Sequence, residues 1–117
     1  MTVNILGADY AVVVKKYKDD ESFERRNIEG YCDGYAKEIV VCEAATFPGY
    51  EHDGTETLIP YQKAALRHEV VHAFLFESGL AQNSDSVEAW AQHEEMVDWI
   101  AWQGPKIYAA WQKVGAL

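Results

Sequence analysis

Positive charge is scarce in this chain. Ten Lys and Arg stand against nineteen Asp and Glu, leaving a net charge of −9. Proteins that hold nucleic acid do so largely by displacing phosphate counterions with Lys and Arg, so no nucleic acid is expected as a partner. The same balance speaks against an anionic membrane surface. Long apolar runs are missing too, and nothing approaches the ~20 residues that cross a bilayer. Residues 1–20 lack the basic stretch and long apolar run of a secretory leader. No membrane contact and a cytoplasmic location are therefore expected. Cysteine occurs only at Cys32 and Cys42, too rarely for a disulfide scaffold. Two reduced thiols are expected, facing each other across the strands of a hairpin. There are three prolines, no repeat and no low-complexity tract, so nothing resembles a linker. Residues 1–117 are read as one domain.

Apolar residues are plentiful at 49%, with four Trp, seven Tyr and four Phe. That is enough for a packed core and excludes a disordered chain. The first half reads as strands: Tyr10 to Val14 and Glu38 to Cys42 are rich in β-formers. Between them, the charged segment Asp19 to Ile28 is expected to form a short helix ended by Gly30. Asp33-Gly34 is a turn signal, so Tyr31 to Cys42 reads as a hairpin. A loop is expected from Phe47 through Gly54. The second half reads as helix. From Pro60 to Ser78, Leu66, Val70, Ala73 and Phe74 recur at three- and four-residue spacing, with Gly79 as the stop. Asp85 and Glu88 form a capping box for a second helix, with Trp90, Val97 and Ala101 along its buried stripe. It is expected to end near Gly104-Pro105, and a last helix to run from Pro105 towards Val114. Strands first and helices after give an α+β fold, a small antiparallel sheet of about three strands packed on two or three helices.

Within the first long helix, His68-Glu69-Val70-Val71-His72 spells His-Glu-x-x-His. Residues four apart lie one turn above each other, so both imidazoles can reach one ion. Glu69, one step round the helix, can meet a metal-bound water without ligating the ion, and serve as general base. A shuffled chain of this composition shows the pattern only about once in a hundred times. A hydrolytic zinc site wants a third protein ligand and an open fourth position. The continuation with Gly and His three and six residues after the second histidine is excluded, because Leu75 and Ser78 stand there. Glu88, Glu94, Glu95 and Asp98 remain as acidic candidates. Glu94 and Asp98 are four apart and share a face, while Glu95 turns towards solvent. On a buried face, a metal would partner Glu94, and the outer ring N–H of a ligand histidine would partner Asp98.

At these residues the chain resembles the gluzincins, whose pattern is His-Glu-x-x-His followed about twenty residues on by Asn-Glu-x-x-x-Asp. The resemblance implies that His68, His72 and Glu94 hold Zn2+ and that Asp98 supports a ligand histidine, His68. It departs at His93, where many members have Asn; His93 is implied to orient His72 in its place. Chain length, the strand-rich first half and the segment Leu66 to Ile100 are similar to the minigluzincins and to short metallopeptidases encoded by prophages of Gram-positive bacteria. These in turn resemble the peptidase domain of ImmA/IrrE-type proteins. The resemblance implies a sheet packed on an active-site helix, a glutamate helix and a C-terminal helix, with an edge strand in the Tyr31 to Cys42 hairpin binding substrate as an added strand. Some members are isolated as latent forms. Peptide deformylases share His-Glu-x-x-His with a Cys ligand after Glu-Gly, and Glu29-Gly30-Tyr31-Cys32 is a loose echo of it.

The expectation is a zinc metallopeptidase acting on a peptide or protein substrate. The alternative is a non-catalytic zinc-containing module that binds a phage or host regulatory protein. An oxyanion donor is needed for amide hydrolysis, and Tyr31, His52, Tyr61 and Tyr108 stand as candidates. The four Trp (Trp90, Trp99, Trp102 and Trp111) recur at helical spacing and are expected to pack the last helices together.

Overall fold

The computed structural model describes residues 1–83 and 90–113. The chain folds as β1 (Thr2–Ile5), β2 (Ala8–Lys15), α1 (Ser22–Arg26), β3 (Gly30–Asp33), β4 (Glu38–Cys42), α2 (Thr55–Glu77) and α3 (Glu94–Lys113). Tight 3₁₀ turns lie at Tyr17–Asp19, Ala44–Thr46 and Trp90–Gln92. The fold is α+β, with the sheet in the N-terminal half and the long helices after it.

The sheet has four strands in the order β1-β2-β4-β3. Pairing is antiparallel at both ends and parallel between β2 and β4, where Val12 stands opposite Ile39. A sheet of about three antiparallel strands is thus corrected on two counts. The first strand was missed because Thr2–Ile5 is short and half polar. It joins β2 through Leu6 and Gly7, both at positive φ (50° and 96°), the backbone a two-residue hairpin turn needs. The parallel pair arises because the chain leaves β2, passes through α1 and β3, and returns to the middle of the sheet.

β4 is buried on both faces, which is why Ile39 to Cys42 is a continuous apolar run. Ile39 and Val41 face α2, packed with Ile5, Tyr10, Val12 and Ala73. Val40 and Cys42 face the other way, against Phe23 of α1 and the partly buried Tyr17, Tyr31 and Phe47. The cysteines therefore do not face each other. Cys32 is opposite Ile39 and packs on the α2 side, Cys42 packs on the far side, and both are free thiols. The buried ring of Tyr10 keeps its hydroxyl satisfied by donating to Glu77 Oε1 at 2.7 Å.

The helices depart from expectation in informative ways. α1 is shorter than Asp19 to Ile28 and ends at Asn27, in the left-handed conformation with φ 50°; Gly30 instead opens β3. α2 begins at Thr55, five residues before Pro60, and stops before Gly79 as read. Phe74, assigned to its apolar stripe, is exposed. α3 runs unbroken through Gly104-Pro105, so the glutamate helix and the C-terminal helix are one. Trp90 sits in the preceding 3₁₀ turn, off the stripe that buries Val97 and Ala101. Trp90, Trp99 and Trp102 are 46%, 59% and 51% exposed, so they do not pack the helices together. The capping box at Asp85 and Glu88, the side chain of Trp111 and the end at Val114 lie outside the described residues. Among the described residues, no helix is long and apolar enough to cross a membrane.

Candidate metal centre

α2 lies with Leu66, Val70 and Ala73 against the sheet, and this fixes where its other faces point. His68 and His72 fall on the side towards α3, one turn apart. Their Nε2 atoms are 3.1 Å from each other. Glu94, in the first turn of α3, reaches between them: Oε2 is 3.0 Å from His68 Nε2, and Oε1 is 3.2 Å from His72 Nε2. The three side chains are the group of metal-type donors gathered among the described residues, with all ligand atoms within 4.8 Å.

The donor set fits zinc. An ion bonded at about 2.0–2.1 Å separates tetrahedral ligands by roughly 3.3 Å, close to the distances between these side chains, to which Glu94 contributes one oxygen for each histidine. The ring orientation fits as well: Asp98 Oδ1 lies 2.5 Å from His68 Nδ1, placed to accept its hydrogen, and Nε2 is the atom turned to the group. Burial lowers the pKa of His72, against the pull of Glu94, and so favours the neutral ring a metal requires.

Glu94 and Asp98 were placed on a buried stripe by the sequence, and that part is corrected. Their side chains are 67% and 59% exposed. They line an open cleft while Val97 and Ala101 take the buried face. Glu95 is exposed and outside the group, and Glu88 lies outside the described residues. His93 is exposed and immediately precedes α3, where its carbonyl accepts from Val97 N–H at 3.1 Å. Among the described residues, no hydrogen bond joins it to His72; the nitrogen of His72 turned to the group meets Glu94 and His68.

Glu69 is buried, and desolvation pushes its pKa up to about 7. Glu94 and Asp98 push the same way, while His68 and Arg26 oppose them. Its Oε1 stands 3.9 Å from His68 Nε2, near enough for a small molecule to touch both. β3 passes directly over it. A Cβ on Gly30 would lie 3.3 Å from Glu69 Oε1 and 2.8 Å from the carbonyl oxygen of Val40, so only glycine lets the strand come this close. Sequence reading assigned Gly30 to a helix stop and missed this role, because the contact is made across the fold.

The cleft around these groups has a volume of about 800 Å³, within the usual range for ligand sites. β3 lines it with Gly30, Tyr31 and Cys32, and α3 with Glu94, Asp98 and Trp102. Arg26, at the end of α1, is the one Lys or Arg among the described residues of its lining. No motif marked it. Of the oxyanion candidates, Tyr31 is committed elsewhere, its hydroxyl donating to Asp20 Oδ2 at 2.7 Å. Tyr61 lines the cleft, with its hydroxyl 3.0 Å from that of Tyr50 and 3.4 Å from Glu29 Oε1. Tyr108 and His52 do not line it. Cys32 does, but burial pushes its thiol up to about 12, and the third corner of the metal group is Glu94. No protein-family model, no curated protein and no solved structure matches this chain.

Proposed function

We propose that the chain is a zinc metallopeptidase of gluzincin type, in which His68, His72 and Glu94 hold Zn2+ and Glu69 is the general base. The observation that carries this reading is the convergence of three donor atoms beside a buried glutamate in an open cleft. Zinc bound there would polarise a substrate carbonyl and acidify water. The protein's own part falls to three groups. Glu69 would take a proton from the attacking water on its carboxylate and pass it to the leaving nitrogen. Asp98 holds His68 in the tautomer that leaves Nε2 free. β3, the outer strand of the sheet, offers an unpaired edge along the cleft, on which an extended peptide can add as a further strand. Tyr61 is the remaining oxyanion candidate on the cleft wall.

The substrate in this reading is a peptide or protein, met in the cytoplasm, and neither nucleic acid nor membrane is a partner. Glu69→Gln decides whether the site turns over. Zinc content should stay at the wild-type level, while cleavage of a mixed peptide library should fall by at least a hundredfold. A wild type that holds zinc yet cleaves nothing, in the library or among intact proteins, would move the reading to a non-catalytic zinc-containing module that binds a phage or host regulatory protein. The half-exposed Trp99 and Trp102 on α3 favour that second reading, because exposed tryptophans are common at protein interfaces.

A further inference from the structure

Pro105 lies inside α3, and a proline nitrogen carries no hydrogen. In an α-helix the N–H of residue 105 would bond to the carbonyl of Ala101, so α3 leaves that carbonyl without its own donor. Ala101 is 2% exposed, which keeps water from taking the donor's place. The missing hydrogen comes from the other helix: Arg67 Nε donates to Ala101 O at 2.5 Å.

The position of this bond matters. Arg67 immediately precedes His68, and Ala101 follows Asp98 by three residues. Arg67–Ala101 and His68–Asp98 are therefore neighbouring rungs between the same two helices. Glu94, Asp98, Ala101 and Pro105 follow one another at intervals of four, three and four, so they run along one side of α3. A slip of α3 by one residue would move this stripe by about 1.5 Å and turn it by about 100°, taking Glu94 away from both histidines.

We propose that Arg67 is a positioning residue of the metal centre: by supplying the hydrogen bond that Pro105 removes from α3, it fixes that helix on α2 so that Glu94 and Asp98 meet His68 and His72. The proposal rests on the metal-centre reading, and its test separates the two. Four full-length proteins are compared: wild type, Arg67→Met, which keeps most of the aliphatic bulk, Pro105→Ala, which restores the helical N–H, and the double variant. Each is titrated with Co2+, following the visible bands of a tetrahedral site. Arg67→Met should weaken Co2+ binding at least tenfold when Pro105 is present. In the Pro105→Ala background the same change should cost less than about threefold, because Ala101 then has a donor of its own. Equal weakening in both backgrounds, or none in either, would overturn the positioning role. Should Arg67→Met fail to fold, the double variant decides: a folded, cobalt-binding protein supports the link, and an unfolded one sinks it. Absence of cobalt bands from wild type itself would instead overturn the metal centre, and with it the role assigned to Arg67.

Discussion

Glu69 is the charged side chain that the core buries among the described residues, and its neighbours explain why the chain tolerates it. A buried carboxylate is costly, so burial raises its pKa until the proton is held near neutrality. The histidines beside it differ in kind: each keeps one nitrogen for the shared group, and His68 has its other nitrogen fixed by Asp98. Losing such a support typically costs 10–100-fold in metal affinity. Asp98→Asn should therefore weaken zinc binding by about 10–100-fold in a competition titration, whereas Glu95→Gln should leave it within about twofold. Gly30 is the second residue on which the site depends. Gly30→Ala drives a methyl against the carbonyl of Val40 and towards Glu69, and a backbone oxygen cannot swing aside. A loss of about 1–3 kcal/mol in urea unfolding is expected, the cost of overpacking a tight contact. The residue-level motif was legible because both histidines and Glu69 belong to one helix, where spacing alone sets geometry. Gly30 and Arg26 were not, because each reaches the cleft through the folding of a different element.

At the scale of elements, β3 is held from its far side. Tyr31 donates to Asp20, which also accepts from Ser22 N–H at the start of α1 and pairs with Lys15 at 3.2 Å. The hydrogen bond from Tyr31 is the chief reason that Asp20 keeps its proton affinity well below the ordinary carboxylate range. A folded-state pKa below the unfolded value means stability that is present above that unfolded value and lost as pH falls through the folded one. Asp20→Asn should therefore be less stable than wild type by about 1.5–3 kcal/mol at pH 7. The gap should narrow progressively as pH drops below about 4, where the unfolded carboxylate begins to bind its proton. Chemical unfolding of both proteins across pH 2–7 reads this directly; a gap independent of pH would mean that packing, and not the charge, holds β3. Elements were legible where their pattern was self-contained. The spacing within α2 and the β-rich run of β4 announced themselves. The continuous apolar run of β4 also marks a strand covered on both faces, which the antiparallel expectation passed over. The break placed at Gly104-Pro105 was wrong because the bond that replaces the proline's missing one comes from Arg67, 34 residues away. β1 was invisible because four half-polar residues carry almost no periodicity.

On the scale of the whole molecule, the architecture brings two kinds of surface to one place. The sheet presents its unpaired β3 edge, and α2 with α3 presents the histidines and Glu94, so the cleft lies where edge and helix pair meet. Its acidic lining agrees with the charge of −9, and a dication held by two neutral histidines and one carboxylate would offset part of it. The α+β class was legible from the order of strands and helices. The joint between them was not, since it depends on α3 returning across α2, which no local signal encodes. The most direct test of the central claim is metal content per chain, measured by elemental analysis on wild type and Glu94→Ala purified side by side. One zinc per wild-type chain is expected, with occupancy in Glu94→Ala reduced to a small fraction at the same zinc concentration. No zinc in wild type after zinc is supplied, or undiminished zinc in Glu94→Ala, would contradict a centre built from His68, His72 and Glu94.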